Sequence, residues 1–268
     1  MSVFEIIAGG SPVVLGIPHT GTDVPPAIRN RMNDNGRLLA DTDWHIHRLF
    51  ADLHPDVTCV RATTHRYVID ANRDPTGKSL YPGQNTTELI PSTDFDSQPI
   101  WKAGMEPTGA DAAERVAAFH RPYHDALVAE IERVRKRHGV AVLIDCHSIR
   151  SVLPYLFEGP LPAVNIGTND GVTCAPRMEA KVMDIIRASA YSNALNGRFK
   201  GGWTTRHYGR PQDNVHAVQI EITQASYLET EALPFDYSVE KADRLRPVLA
   251  RIVGELEALA FDSVAQGS

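Results

Sequence analysis

Residues 140–150, VAVLIDCHSIR, constrain the fold of this chain more than any other stretch. Five apolar residues end abruptly in Asp145, Cys146, His147 and Ser148. Such a run is typical of a parallel strand that is buried on both faces of a sheet. Because ligands bind at the carboxyl edge of open α/β sheets, we expect the polar residues that follow the run to lie at a functional site.

Two further apolar runs carry polar residues in a similar way. Residues 13–17 (VVLGI) are followed by Pro18 and His19, and residues 215–222 carry Glu221 inside an apolar run. A carboxylate that faces a buried layer is costly unless it is paired or functional. Histidines and acids at strand ends are typical of a metal-assisted hydrolase with an open coordination position.

Strands and helices alternate along the rest of the chain. We therefore predict an α/β fold in a single domain, residues 1–268, with a mixed, mostly parallel sheet covered by helices on both faces. The predicted strands are residues 12–17, 57–62, 65–70, 140–144, 164–167 and 215–222, of which the second and third could pair as a hairpin. The predicted helices are residues 38–53, 111–136, 176–190 and 241–259.

Two proline-containing regions carry their own predictions. Pro122 is expected to kink the helix over residues 111–136 or to divide it. Residues 74–101 are rich in Pro, Gly, Thr, Ser and Asp and have little periodicity. A structureless loop of this length in a compact domain is typical of a functional lid or binding loop.

The composition argues against several classes of protein. A formal net charge of −6 disfavours general nucleic-acid binding, which needs a basic face. No stretch approaches the ~20 apolar residues of a membrane helix, and the N-terminus lacks the basic region of a signal peptide. Three widely spaced cysteines without a CxxC pair indicate neither a disulfide framework nor a cysteine zinc site. We expect a cytoplasmic protein that binds neither nucleic acid nor membrane.

His19 and His147 are the predicted metal ligands. Neutral imidazole suits zinc, and a catalytic zinc site typically uses three protein ligands and a water molecule. Asp145 lies two residues before His147, so on a strand it points the same way and could hold the other ring nitrogen of the imidazole. Three acids are available as the third ligand after His19: Asp23, Asp41 and Asp43.

The remaining chemistry needs a base and a means of binding substrate. Glu221, if buried near a metal, would be tuned for proton transfer, and its structural alternative is a salt-bridged carboxylate. Four arginines lie in loops that flank the site strands, and guanidinium groups bind carboxylates bidentately. Such a set suits a small dianionic substrate, and its members are Arg66, Arg73, Arg150 and Arg206.

Six blocks of sequence resemble the N-formylglutamate amidohydrolase family. They are HTGTDVP (19–25), DTDWH (41–45), RYVIDANRDP (66–75), DCHSIRS (145–151), GGWTTRHYGRP (201–211) and VQIEI (218–222). The resemblance spans roughly residues 10–260. The DTDWH block and the Pro- and Gly-rich middle are most similar to the branch of the family that acts in histidine degradation. The family is in turn similar to zinc carboxypeptidases and to succinylglutamate desuccinylases, which implies a zinc-carboxypeptidase-like fold.

The resemblance implies a role for each candidate residue. His19 and His147 would bind Zn²⁺, Glu221 would be the general base, and Asn72 with Arg73 would hold one substrate carboxylate. Arg206 or Arg150 would hold the other carboxylate. Carboxypeptidases take their acidic ligand three residues after the first histidine, but Thr22 occupies that position here. We choose Asp43 as the acid instead.

The implied activity is hydrolysis of the formamide C–N bond of N-formyl-L-glutamate to L-glutamate and formate. Two alternatives stay open. The chain could be a deacylase or desuccinylase that acts on another N-acyl amino acid. It could also be a non-catalytic carboxylate-binding protein on the same fold, although the combination of Glu221 with both histidines speaks against this.

Overall fold

The computed structural model describes residues 2–79 and 86–267, and a seven-stranded sheet runs through the centre of this part of the chain. The strands are β1 (Phe4–Ile7), β2 (Val13–Ile17), β3 (Thr58–Ala62), β4 (Ala141–Ile149), β5 (Val164–Gly167), β6 (Asn193–Leu195) and β7 (Val215–Thr223). Their order across the sheet is β1-β3-β2-β4-β7-β5-β6. Strands β3, β2, β4 and β7 run parallel, whereas β1 is antiparallel to β3 and β5 is antiparallel to β7. The predicted mixed, mostly parallel sheet is confirmed.

Helices cover both faces of this sheet. They are α1 (Pro26–Arg29), α2 (Ile46–Phe50), α3 (Gly109–Arg115), α4 (Arg121–His138), α5 (Pro176–Arg187), α6 (Trp203–Tyr208) and α7 (Val239–Gly267). Val13 and Leu15 of β2 pack in the core beneath α2, α5 and α7, whereas Val14 packs on the opposite face beneath α4. Alternate residues of one strand therefore enter two cores, which is why this strand is apolar throughout. The α/β fold class is confirmed.

Strand β4 is longer than its apolar run. Its pairing with β7 continues through His147, which lies opposite Glu221, to Ile149, which lies opposite Thr223. Asp145 and His147 therefore lie within the strand rather than after it. Their Cα positions are fixed by the hydrogen-bonded ladder of the sheet.

The helix over residues 109–138 is divided just before Pro122. A π-helical turn, Val116–His120, separates α3 from α4, and Pro122 lies in the first turn of α4. A proline lacks the N–H that an α-helical bond needs, so a local change of helical pattern beside it is expected. Thr108 and Asp111 form a capping box at the start of α3, which explains where the helix begins.

The prediction of a helix over residues 38–53 is wrong for most of that length. Only a 3₁₀ turn at Gly36–Leu38 and the short α2 are helical there. Leu39 and His45 adopt left-handed backbone angles, with φ of 54° and 58°, which interrupt a right-handed helix. The N–H of Asp43 donates to the carbonyl oxygen of His19 at 3.0 Å, so a tertiary contact with the end of β2 replaces the local helical bond.

The predicted strand over residues 65–70 is also wrong, because this segment forms a turn. The N–H of Val68 donates to the carbonyl oxygen of His65 at 2.9 Å, and the Arg66 side chain reaches back to Asp70. The predicted loop over residues 74–101 has no helix or strand in its described parts, 74–79 and 86–101, while residues 80–85 lie outside the described residues.

Four short elements were not predicted from the sequence, namely β1, α1, β6 and α6. Strand β1 lies at the sheet edge with Ile7 71% exposed, so it lacks the alternation of a half-buried strand. All three cysteines are unpaired thiols, as expected. Among the described helices, none is long and apolar enough to cross a bilayer.

Candidate active site

His19, Asp43 and His147 converge at the carboxyl edge of the sheet. His19 follows β2, His147 lies on the neighbouring β4, and their ring centroids are 4.9 Å apart. Asp43 precedes α2, and its Oδ2 lies 3.8 Å from His19 Nδ1 and 3.3 Å from His147 Nδ1. One ligand atom from each residue lies within 4.8 Å of the other two, and all three side chains are buried. The structure thus brings together the three predicted ligands.

The second nitrogen of each imidazole contacts another carboxylate. His19 Nε2 lies 2.6 Å from Asp70 Oδ1, and His147 Nε2 lies 3.0 Å from Asp145 Oδ1. Both carboxylates accept from the ring, which leaves the Nδ1 atoms directed toward Asp43. Metal-binding histidines characteristically donate their other N–H to a carboxylate in this way.

The donor set fits a divalent metal ion such as zinc. It consists of two imidazole nitrogens and a carboxylate oxygen, the ligand types of catalytic zinc sites. Asp43 is 0% exposed, yet its Oδ1 has no hydrogen-bond partner among the described residues. Arg66 Nη1 lies 3.7 Å from this oxygen, too far for a hydrogen bond. A buried carboxylate oxygen without a hydrogen bond is costly, and a metal cation beside it would remove that cost.

The two alternative acids are placed differently. Asp41 Oδ2 accepts the N–H of Phe95 at 2.9 Å, and burial raises the pKa of Asp41 to about 7. Asp23 is half-buried and pairs through its backbone with Thr64. Among the three candidates, only Asp43 forms a group with both histidines.

The two histidines have opposite electrostatic surroundings. Burial and then the charge of Arg66 lower the pKa of His19. Burial also acts to lower the pKa of His147, but the charge and hydrogen bond of Asp145 outweigh it and raise that pKa well above its ordinary value. In the metal-free protein His147 therefore holds a proton that a metal ion would displace.

Asp70 connects His19 to the arginines of the site. Burial acts to raise the pKa of Asp70, but the charges of Arg66 and Arg73 dominate and hold it well below its ordinary range. Arg66 Nη2 donates to Asp70 Oδ2 at 2.6 Å. Asp70 is therefore an ionised acceptor for the His19 ring. Sequence analysis missed this residue, although it falls inside the RYVIDANRDP block.

Glu221 faces the same site from β7. It lies directly opposite His147 in the register of β4 and β7, and its side chain is buried. Burial raises the pKa of Glu221 to about 8. Gln219, two residues earlier on the same face of the strand, donates from Nε2 to Glu221 Oε2 at 3.0 Å. A carboxyl group with a pKa near neutrality is suited to exchange protons with a substrate.

The three candidate metal ligands, Gln219 and Glu221 line one cavity of about 620 Å³, part of which is open to solvent. Four apolar side chains form another part of its wall: Phe95, Ile149, Leu156 and Phe199. Thr86, Thr87 and Phe95 come from the long loop that was predicted to be a lid or binding loop. Seven of the predicted site residues line the cavity: His19, Asp43, Arg66, Asn72, Arg73, His147 and Glu221.

Asn72 and Arg73 are both held by neighbouring groups at the cavity wall. Asn72 Oδ1 accepts the N–H of Thr204 at 2.9 Å, and the backbone N–H of Asn72 donates to Asp70 Oδ1 at 2.8 Å. Arg73 Nε donates to the carbonyl oxygen of Thr87 at 2.9 Å, and Nη2 donates to Thr87 Oγ1 at 2.8 Å. The long loop therefore helps to orient Arg73.

The structure does not bring Arg150 and Arg206 into this cavity. Arg150 pairs with Asp96 at 2.7 Å, and Arg206 Nε donates to the carbonyl oxygen of Gly201 at 2.8 Å. Arg66, another member of the predicted arginine set, does line the cavity, and so does Arg198, which was not predicted. Arg198 Nε donates to the carbonyl oxygen of Leu156 at 2.9 Å, a long-range contact for which the sequence contains no local signal.

The chain belongs to the N-formylglutamate amidohydrolase family, whose sequence model matches residues 11–228. It is 41% identical over 259 residues to N-formylglutamate deformylase from Pseudomonas aeruginosa (strain PAO1), and the match covers 96% of each chain. The N-formylglutamate deformylase of Pseudomonas putida is also 41% identical over 259 residues, again with 96% of each chain covered. The family resemblance inferred from the six sequence blocks is confirmed.

Solved structures share the fold. The crystal structure of N-formylglutamate amidohydrolase from Ralstonia eutropha JMP134 matches with a TM-score of 0.77 and 26% identity over the whole of both chains. A gene product of Agrobacterium tumefaciens matches with a TM-score of 0.70 and 19% identity, covering 99% of this chain and 97% of the other. The match to the Agrobacterium tumefaciens protein shows only that the two chains share a fold.

Proposed function

We propose that this protein is a zinc-dependent N-formylglutamate deformylase, which hydrolyses N-formyl-L-glutamate to L-glutamate and formate. The observation that carries the proposal is the convergence of His19, Asp43 and His147 beside a buried Glu221. Family membership and relatives named N-formylglutamate deformylase support the choice of substrate. The reaction would be the last step of histidine degradation in the cytoplasm.

His19, Asp43 and His147 would hold the metal ion. When bound there, zinc supplies Lewis acidity toward the formyl oxygen and lowers the pKa of water to about 7. Asp70 and Asp145 would keep the two imidazole rings oriented with Nδ1 toward the ion.

Glu221 would act as the general base and then as the general acid. Its carboxylate would take a proton from the attacking water as the new C–O bond forms. It would then give that proton to the amide nitrogen as the C–N bond breaks, so that glutamate leaves as an amine. Gln219 would hold the Glu221 carboxylate in place through the 3.0 Å hydrogen bond.

The substrate has two carboxylates, and Asn72 with Arg73 would bind one of them. A guanidinium group can bind a carboxylate through two parallel hydrogen bonds. We assign the second carboxylate to Arg198, which lines the same cavity as Asn72 and Arg73. This assignment replaces the sequence-based choice of Arg150 or Arg206.

Metal analysis of the purified protein, coupled to a substrate panel, tests the proposal. The panel contains N-formyl-, N-acetyl- and N-succinyl-L-glutamate, N-formyl-L-aspartate and N-formyl-L-leucine, and release of the free amine is measured. We expect about one zinc ion per chain and the highest kcat/KM on N-formyl-L-glutamate. Activity should disappear with a chelator and return with zinc.

Other outcomes favour the alternatives. A higher kcat/KM on the N-succinyl compound would make the protein a desuccinylase. Tight binding of the panel without amine release from the metal-loaded protein would make it a carboxylate-binding protein.

A further inference from the structure

Three side chains from the helical region of residues 109–138 bind the segment of residues 68–73. They come from α3, from the π-helical turn and from α4. Arg115 Nη1 donates to the carbonyl oxygen of Val68 at 3.0 Å. His124 Nε2 donates to the carbonyl oxygen of Ala71 at 2.7 Å, and His120 Nε2 donates to that of Arg73 at 3.0 Å. We call these three hydrogen bonds the carbonyl tether. Since a carbonyl oxygen only accepts, each imidazole carries its proton on Nε2.

The two histidines bind the carbonyl groups on either side of Asn72. Their rings lie about one helical turn apart, tilted by 37° to each other, with centroids 4.3 Å apart. Burial, followed by the nearby His120, lowers the pKa of His124 to about 3, so that this ring is neutral. Its Nδ1 accepts the hydroxyl proton of Tyr208 at 2.9 Å, which fixes the ring from the other side.

The π-helical turn explains why these donors share one face of the helix. In an α-helix, residues five apart point in directions about 140° apart. The N–H of Arg121 bonds to the carbonyl oxygen of Val116, which is the i→i+5 pattern of a π-turn. Arg115 and His120 are themselves five residues apart across this turn, so the wider turn brings them toward the same side.

Helix α6 completes the enclosure of Asn72. The N–H of Thr204 donates to Asn72 Oδ1, and a Cβ at Gly202 would lie only 2.2 Å from Asn72 Nδ2. The Trp203 ring lies edge-on to the His124 ring, with centroids 4.7 Å apart. The same short helix therefore contacts both the Asn72 side chain and one of the histidines that hold its backbone.

We propose that His120 and His124 are positioning residues, which set the location of Asn72 and Arg73 for the substrate carboxylate through the carbonyl tether. The proposal rests on the proposed function, because that function assigns Asn72 and Arg73 to the substrate. Neither histidine lines the cavity in the described part of the chain, so they act through the segment that they hold.

Leucine and glutamine variants of both histidines test this proposal. His120→Leu and His124→Leu remove the donor, whereas His120→Gln and His124→Gln keep an N–H near the position of Nε2. His138→Leu is the matched control, because His138 lies on the same helix and its Nε2 contacts the carbonyl oxygen of Gly10 at 2.6 Å, remote from the cavity. Kinetics, zinc content and hydrogen exchange of peptides spanning residues 66–75 are measured for each variant.

We expect each leucine variant to raise KM for N-formyl-L-glutamate about five- to tenfold while kcat and zinc content stay near wild type. Hydrogen exchange over residues 66–75 should become faster. The glutamine variants should recover most of the wild-type KM, and His138→Leu should resemble wild type. This pattern would separate positioning from a general loss of stability.

Several results would overturn the proposal. These are unchanged KM and unchanged exchange in the leucine variants, loss of zinc together with kcat, or the same defect in His138→Leu. If the wild-type protein does not turn over N-formyl-L-glutamate, the proposed function fails, and hydrogen exchange alone decides whether the tether holds the segment.

Discussion

His147 and Glu221 lie opposite each other on β4 and β7, and the backbone ladder of the sheet fixes both positions. Asn72 and Arg73 reach the same cavity from a segment without regular structure, which the His120 and His124 side chains and the backbone N–H of Thr204 on α6 hold in place. A strand keeps its path when one side chain is changed, because its support is the backbone. The segment without regular structure loses part of its support whenever a side chain that contacts it is removed. Substitutions at the strands should therefore affect metal binding and catalysis, and substitutions around the segment should affect substrate binding.

The largest effect is expected for a metal ligand on the strand side of this comparison. His147→Ala removes one of the three donors, so zinc should fall from about one ion per chain to near zero and turnover should be lost. Inductively coupled plasma mass spectrometry measures the metal, with His138→Ala as the control. Full zinc content in a His19→Ala, His147→Ala double variant would show that the ion binds elsewhere.

Glu221→Gln tests the second strand residue. The variant should keep zinc and the fold while kcat falls by about 10²-fold or more, the usual scale for a positioned proton-transfer group. Glu179→Gln is the control, because the partly buried Glu179 accepts the Thr168 hydroxyl outside the cavity. Wild-type turnover in Glu221→Gln would leave Glu221 as a structural carboxylate.

The raised pKa of Glu221 also predicts that the stability of the zinc-free protein depends on pH, and Glu221→Gln tests this. Burial raises the pKa of Glu221 to about 8, so between its ordinary pKa and that value the folded state binds a proton that the unfolded state has lost. The free energy of unfolding should therefore fall as the pH rises through this range. Glu221→Gln removes this contribution, so urea unfolding of the zinc-free variant should show a weaker decline. A decline as steep as that of wild type would contradict the prediction.

Arg73→Lys probes the segment side of the comparison. A lysine keeps the charge but loses the two-pronged donor, so kcat/KM for N-formyl-L-glutamate should fall roughly ten- to a hundredfold. N-formyl-L-leucine, which has one carboxylate, should lose less. Arg150→Lys, outside the cavity, should behave as wild type in the same assay. An equal loss on both substrates would place Arg73 at the reacting carbonyl group instead.

The smallest effect is expected where the segment meets α6. A methyl group at residue 202 would clash with the Asn72 amide, so Gly202→Ala should lower kcat/KM about tenfold, mainly through KM, with zinc retained. Gly109→Ala is a matched control, because nothing lies within 4 Å of its added Cβ. Identical kinetics for the two alanine variants would show that the position of Asn72 does not matter for binding.

The strand side of the site was predictable because each strand carries its own signal. The apolar runs of β2, β4 and β7 are visible locally, and His19, His147 and Glu221 interrupt or follow them. These apolar runs therefore predicted that the three residues lie at the carboxyl edge of the sheet. Asp43 was chosen from three candidate acids, and its position depends on a tertiary hydrogen bond to His19 that local sequence does not encode.

The segment side was not predictable in the same way. Residues 65–70 were predicted to form a strand, but the segment forms a turn that long-range contacts such as the Arg115–Val68 hydrogen bond support. Asp70 and Arg198 owe their places to partners distant in sequence, His19 and Leu156. Arg150 stands beside a site strand in sequence, yet its side chain turns to Asp96 instead. Local sequence does not encode such pairings.

The strand order also has a consequence for synthesis of the chain. The three proposed metal donors all precede residue 150, whereas Glu221 lies on β7, the last of these strands to be synthesised. A nascent chain can therefore bring His19, Asp43 and His147 together before the proposed base, Glu221, has been synthesised. Until β7 docks, β4 lies at an open sheet edge with a row of unpaired backbone groups, which can pair with another chain. We expect aggregation during expression to depend on how quickly this last strand is completed.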